Sequence, residues 1–177
     1  MKRAVFLDRD GVLIRDRDYL SDPKGVRVLK GVPEALRLLR EAGFKLVVVS
    51  NQSGVARGYF TEAAVRRVNA ELVLRLKAKG ARVDAVYFSP HGPDSKSPMR
   101  KPGTGMLLAA KRKLGLDLKA SFLVGDKTSD VECARRAGCA GILVLTGKAG
   151  KDREYKAKPA AVKSDLLAAA RWITRQL

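Results

Sequence analysis

Asp8-Arg9-Asp10-Gly11 follows directly on four apolar residues, Ala4 to Leu7. Two carboxylates two residues apart, closing a segment built for a core, suit a division of labour between a nucleophile and a proton carrier. Three more polar clusters interrupt apolar segments in the same way. They are Ser50-Asn51-Gln52-Ser53-Gly54, Arg100-Lys101-Pro102, and Gly125-Asp126-Lys127 with Asp130 three residues beyond. A pocket gathering these groups would bring together the carboxylates of Asp8, Asp10 and Asp126. Such carboxylates repel at neutral pH unless a cation lies among them, and an all-oxygen donor set favours Mg²⁺. Ser50 and the amides after it offer donors to phosphoryl oxygens. Lys101 offers a fixed positive charge. Metal, donors and a cation, with carboxylates left for nucleophilic and proton work, make a phosphoryl-transfer set. Any one of these aspartates, taken alone, is more often a loop or cap residue; the order of the four clusters carries the reading.

The elements that must position these residues alternate between strand and helix. AVFL (4–7), FKLVVV (44–49), DAVYF (84–88), SFLV (121–124) and GILVL (141–145) lack apolar/polar alternation, which predicts strands covered on both faces. Helices are predicted over 32–43, 61–80, 105–115, 129–138 and about 164–176. The second carries Val65, Val68, Leu72 and Leu76 at helical spacing, with Arg66, Arg67, Glu71 and Arg75 outside. The last buries Leu166, Leu167, Ala170 and Ile173. This alternation predicts an α/β fold: an open parallel sheet of about five strands with helices on both faces. Ligands collect at the carboxyl ends of such strands, where the polar clusters fall. No insertion is long enough for a second domain, so residues 1–177 are expected to form one. Loops span roughly 14–31 and 89–104, and the basic segment 148–159 is read as a mobile surface loop.

Composition narrows the function. With 46% apolar residues in 177, the chain is long and apolar enough for a sizeable core, which excludes a disordered protein. The formal net charge of +18 suggests anionic partners such as nucleic acid, phosphorylated metabolites or acidic surfaces, although scattered charges also suit a solvated surface. Cys133 and Cys139 are the only cysteines, too few for a disulfide framework. No apolar run approaches the ~20 residues of a membrane span, and the N-terminus has no signal-peptide core. A soluble, cytoplasmic, monomeric protein is expected.

DRDGVL, SNQSGVARG, RKPGTGM and GDKTSD, in that order, resemble the four motifs of the haloacid dehalogenase (HAD) superfamily of phosphohydrolases. The match is most similar to the branch of D-glycero-D-manno-heptose 1,7-bisphosphate phosphatases and histidinol-phosphate phosphatases, and it runs from Val5 to about Thr146. The resemblance implies a Rossmann-like HAD fold with no cap domain. It implies Asp8 as nucleophile, forming an aspartyl-phosphate, and Asp10 as acid/base. An unperturbed aspartate has a pKa of about 3.9, so Asp10 needs its neighbours to hold a proton at neutral pH. Mg²⁺ would be bound by Asp8, the backbone carbonyl of Asp10, and Asp126. Ser50 and Asn51 would hold the phosphoryl group, and Lys101 would neutralise it. Substrate would be read by Asp16, Arg17, Asp18, Tyr19, Gln52, Ser53, Arg57, Arg100 and Lys127. Among these Arg100 is the best candidate for discriminating substrates, since a guanidinium binds with fixed geometry.

Many relatives carry a structural zinc after the third strand. Here Ser89, Ser97 and Met99 stand where thiolates would be and only His91 remains, so no zinc is expected. The leading activity is a Mg²⁺-dependent phosphomonoesterase acting on a phosphorylated sugar, a heptose 1,7-bisphosphate at its 7-phosphate. Its rivals are histidinol-phosphate phosphatase and a nucleic-acid 3′-phosphatase. Aromatics are only 6% and none cluster in a basic run, which disfavours nucleic acid. A non-catalytic phosphate-binding protein is disfavoured by the intact set of Asp8, Asp10, Lys101 and Asp126. The roles of Asp130 and His91 stay open.

Overall fold

The computed structural model describes residues 1–177. Its strands are β1 (Ala4–Leu7), β2 (Lys45–Asn51), β3 (Ala85–Ser89), β4 (Phe122–Gly125), β5 (Ala140–Val144) and β6 (Ala161–Lys163). Its helices are α1 (Val32–Glu41), α2 (Glu62–Ala78), α3 (Gly105–Leu114), α4 (Thr128–Ala137) and α5 (Leu166–Thr174). The strands form one parallel sheet in the order β3-β2-β1-β4-β5-β6.

The continuous apolar strands are explained by burial on both sides. In β1, Val5 and Leu7 enter a core of 25 buried residues beneath α1, α2 and α5. Ala4 and Phe6 point the other way, into a core of 13 beneath α3 and α4. In β2, Leu46 and Val48 take the first face and Val47 and Val49 the second. Each fully buried side chain of this size contributes about 1.5–3 kcal/mol, so both central strands are anchored from two sides. Helix starts are set locally: the Thr61 hydroxyl accepts from the Ala64 amide at 3.2 Å, and the Asp165 carboxylate from the Ala168 amide at 2.8 Å.

The strand order reverses between β1 and β4. One half of the chain builds outward to β3 and the other to β6. A crevice opens at the carboxyl ends of strands at such a switch point. Asp8 follows β1 and Asp126 follows β4, so the topology sets the two side by side.

Two expectations need correction. The sheet has six strands rather than about five. β6 is three residues long, partly exposed and at an edge, too short to show a periodic pattern. The segment 148–159 is not a free surface loop in its first half. The Lys148 amide donates to Asp126 Oδ2 at 2.6 Å, and the Gly150 amide to the Asp126 carbonyl at 2.7 Å. Asp152 accepts from the Thr128 amide at 3.0 Å, at the start of α4.

Candidate active site

Asp8, immediately after β1, still shares in the ladder: its amide donates to the Val124 carbonyl at 3.0 Å. Its buried carboxylate meets the ammonium of Lys101, with Oδ1 2.9 Å from Nζ. The same nitrogen donates to the Val49 carbonyl at 2.9 Å and lies 2.6 Å from Asp130 Oδ1. Asn51 places it. Its side-chain amide donates to the Lys101 carbonyl at 2.9 Å and its side-chain oxygen accepts from the Lys101 amide at 3.0 Å. Asn51 thus fastens the β3–α3 loop to the end of β2, keeping one amide hydrogen for other partners.

Oxygens of Asp8, Asp126 and Asp130 all lie within 4.8 Å of one another. This differs from the expected trio of Asp8, Asp10 and Asp126: the third side chain is that of Asp130. It stands in the first turn of α4, accepting from the Lys127 amide at 3.1 Å. Burial, then the Asp8 and Asp130 charges, push the Asp126 pKa up, against the Lys148 amide. Burial also raises that of Asp130, with Lys101 opposing. Lys101 is desolvated too, but Asp130 and Asp8 outweigh that effect and its pKa is raised. Asp126 Oδ1 is buried with no hydrogen-bond partner, as are Thr146 Oγ1 and Asp130 Oδ1, the last facing the Lys101 ammonium. Three carboxylates against one ammonium, with an orphaned anionic oxygen, fit a hard divalent cation. Gly11 and Gly147 back this cluster, with φ of 81° and 73°. A Cβ on Gly11 would come within 2.5 Å of Asp126 Oδ2, so here the turn requires glycine.

The Asp10 carboxylate lies apart from that cluster. Arg9 reaches back to it, with Nε 3.1 Å from Oδ2 and Nη2 3.2 Å from Oδ1, and Gln52 Nε2 donates to Oδ2 at 3.0 Å. Burial raises the Asp10 pKa; Arg9 opposes this and Asp8 adds to it, for a net rise. Its side chain keeps 24% exposure, so one edge faces the pocket. Gln52 also donates to Ser50 Oγ at 3.1 Å.

The pocket above these groups is lined by Asp10, Asp16, Asp18, Tyr19, Asn51, Gln52, Ser53 and Lys127, among others. Tyr19 stacks edge-on against Tyr59 at 4.9 Å between centroids. Lys148 Nζ ties down the rim, 3.2 Å from Asp18 Oδ1 and 3.6 Å from Asp16 Oδ2. Arg100 is half-buried and donates to the His91 carbonyl at 3.1 Å. Burial lowers its pKa against the charges of Glu154 and Tyr155, with Arg57 adding a smaller downward push. Arg17 departs from the group: it lines a separate basic groove with Arg15, Arg27 and Lys30. In the loop after β3 hydroxyls build turns: Ser95 Oγ accepts from the Ser97 amide at 3.1 Å, and Ser97 Oγ from the Met99 amide at 3.3 Å.

Sequence reasoning missed Arg9, Asn69 and Lys148, and left Asp130 without a role. A signal existed for Asn69, a polar residue inside the apolar stripe of α2, and it is buried there. Lys148 offered none: its contact with Asp126 is made by the backbone amide, and its side-chain partners Asp16 and Asp18 lie far away in sequence.

A haloacid dehalogenase-like hydrolase family model matches residues 5–82, and a HAD-hydrolase-like model matches residues 98–169. The D-glycero-D-manno-heptose-1,7-bisphosphate 7-phosphatase of Thermosynechococcus vestitus is 41% identical over 98% of this chain and 96% of its own. The D-glycero-beta-D-manno-heptose-1,7-bisphosphate 7-phosphatase of Escherichia coli K12 is 40% identical over 82% of this chain and 80% of its own. The D,D-heptose 1,7-bisphosphate phosphatase of B. bronchiseptica, solved with magnesium and phosphate, superposes with a TM-score of 0.89 at 34% identity, covering 99% of both chains. The chain belongs to the haloacid dehalogenase-like hydrolases, in the branch of the heptose-1,7-bisphosphate 7-phosphatases.

Proposed function

We propose that this protein is a Mg²⁺-dependent phosphomonoesterase that removes the 7-phosphate of D-glycero-D-manno-heptose 1,7-bisphosphate. The observation that carries the reading is Asp8, paired with Lys101 at 2.9 Å and facing Asp126 and Asp130, with Asp10 held in a separate clamp two residues on. Relatives alike over almost the whole chain support the substrate.

The Asp8 carboxylate attacks phosphorus while the bond from phosphorus to the C7 oxygen breaks. Asp10 gives its proton to that oxygen as it leaves. Asp10, now a carboxylate, takes a proton from water, and the water oxygen attacks the phosphorus of the aspartyl-phosphate. The bond to Asp8 breaks, inorganic phosphate departs, and both aspartates return to their starting state. Lys101 counters the charge on the transferring group. Ser50, the Asn51 amide hydrogen left free and the amides of the β2–α2 turn offer it donors. Asp8, Asp126 and the Asp10 carbonyl would hold Mg²⁺, with Asp130 beside Asp8 and Asp126. When bound, the ion would supply charge neutralisation for the nucleophile and the phosphoryl group. Arg100 and Arg57 would read the non-reacting phosphate, and Asp16, Asp18, Tyr19, Gln52, Ser53 and Lys127, which line the pocket, would orient the sugar. Arg17, turned into the neighbouring groove, has a lesser part.

The motif residues come from strands spread along the chain, which supports one catalytic unit over 1–177. No helix is long and apolar enough to cross a membrane. Both cysteines are buried and unpaired, which suits a reducing cytoplasm. The test is phosphate release from the heptose bisphosphate, histidinol phosphate and a 3′-phosphorylated oligonucleotide, with and without Mg²⁺. The expected result is Mg²⁺-dependent release with the highest kcat/KM on the heptose. Preference for either rival would overturn the assignment.

A further inference from the structure

We propose that Arg9, held in place by Asn69 of α2, is a positioning residue that fixes the proton-transferring carboxylate of Asp10 toward the leaving oxygen. This rests on the reading of Asp10 as acid/base.

The Arg9 side chain is fully buried, an unfavourable place for a charge unless its donors are matched. They are. Nε and Nη2 grip both Asp10 oxygens, at 3.1 and 3.2 Å. Nη2 also donates to Gln52 Oε1 at 2.9 Å, and Nη1 to Asn69 Oδ1 at 2.9 Å. Four of the five guanidinium hydrogens are thereby used.

The contact with Gln52 has a consequence. Because Gln52 Oε1 faces Arg9, its Nε2 must face the other way, toward Asp10 Oδ2 and Ser50 Oγ, at 3.0 and 3.1 Å. Arg9 therefore orients Asp10 twice, directly and by setting the sense of the Gln52 amide. Three donors leave the carboxylate one open edge. A lysine could neutralise Asp10 but has no planar fork with which to orient it. Asn69 is the fourth corner. It sits among the apolar residues of α2, where a buried amide is unfavourable unless paired, and its oxygen fixes the far end of the guanidinium. The seating of α2 on the sheet thus reaches the acid/base through one hydrogen bond.

A merely structural Arg9 would lower turnover of every substrate alike. A positioning role predicts dependence on the leaving group, since p-nitrophenolate departs without a proton and an alkoxide does not. The experiment compares kcat and KM of Arg9→Lys, Asn69→Ala, Asn69→Asp and Asp10→Asn with the native enzyme in Mg²⁺. The substrates are p-nitrophenyl phosphate and the alkyl monoester the enzyme turns over fastest. Arg9→Lys and Asn69→Ala should lose about tenfold or more in kcat on the alkyl ester, relative to the aryl ester, with KM little changed. Asn69→Asp, which keeps an acceptor, should recover most of that loss. Equal losses on both esters, or no recovery by Asn69→Asp, would overturn the inference. If Asp10→Asn itself shows no leaving-group dependence, the acid/base reading fails first and the inference with it. Should Arg9→Lys not fold, the Asn69 pair decides alone, because there the Arg9–Asp10 pair is intact.

Discussion

Asp8 and Asp10 stand two residues apart and have different partners, although the Asp8 charge still reaches Asp10. Asp8 lies in an acidic cluster with Asp126 and Asp130, served by one ammonium. Asp10 lies in a clamp of one guanidinium and one amide, with an edge open to the pocket. Residues i and i+2 of a strand normally share a face. Here the ladder ends at Asp8, and Gly11 turns the chain at a φ of 81°, so the pair is split. The two cations suit their tasks. The Lys101 ammonium is a point charge that neutralises carboxylates from several directions, while the Arg9 guanidinium is a planar fork that orients one. One set of partners gathers charge and the other sets direction.

Removing the nucleophile should have the largest effect. Asp8→Asn is expected to lower kcat by about 10³-fold or more while leaving the far-UV circular dichroism native. Asp10→Asn should instead spare aryl esters. If both variants lost activity equally on all esters, the division between the two sets of partners would fail.

The second contrast is in stability. Without divalent metal, Lys101→Met leaves Asp8 and Asp130 buried and unpaired, and urea unfolding should show a loss of about 3–5 kcal/mol. Gln52→Ala removes neutral donors from the clamp and should cost about 1–3 kcal/mol. A Gln52 variant as unstable as the Lys101 variant would contradict the view that charge gathers on the Asp8 side. Mg²⁺ sharpens the same contrast. At about 100 times its dissociation constant it should stabilise the native protein by about 2.7 kcal/mol. Thermal unfolding should show this shift vanish in Asp126→Asn and survive in Gln52→Ala.

The motif residues were legible in the sequence because short apolar strands ended abruptly in polar clusters, and a parallel sheet puts such ends along one edge. Ser50, Lys101 and Asp126 came from that pattern alone. The pairing inside the site was less legible. Asp130 took the place in the carboxylate trio expected for Asp10, because the first turn of α4 points it back at Lys101, and spacing does not reveal that direction. Arg9 drew no reading of its own in the sequence, because only the turn after β1 folds it inward, where it is fully buried. Lys148 reaches Asp126 through its main chain, to which side-chain chemistry is blind, and reaches Asp16 and Asp18 across a long sequence gap. β6 showed too few residues for any period.

Asp84, remote from both aspartates, gives the smallest expected effect and a control. Burial alone would raise its pKa, but the Leu46 amide at 2.9 Å, Lys45 and Arg40 hold it below the usual carboxylate range. A lowered folded pKa contributes stability above the unfolded value of about 3.9, lost as pH falls through the folded value. Asp84→Asn should cost about 1–2 kcal/mol at neutral pH. That difference should shrink below about pH 4 in urea titrations.

The most direct test of the central claim is chemical trapping of the phosphorylated enzyme. The protein is quenched in acid during turnover of the heptose bisphosphate with Mg²⁺, reduced with borohydride, and its peptides sequenced by mass spectrometry. An acyl-phosphate at Asp8 predicts homoserine at position 8, dependent on substrate and absent from Asp8→Asn. Reduction at another carboxylate, or an untouched Asp8 under rapid-quench turnover, would contradict the account.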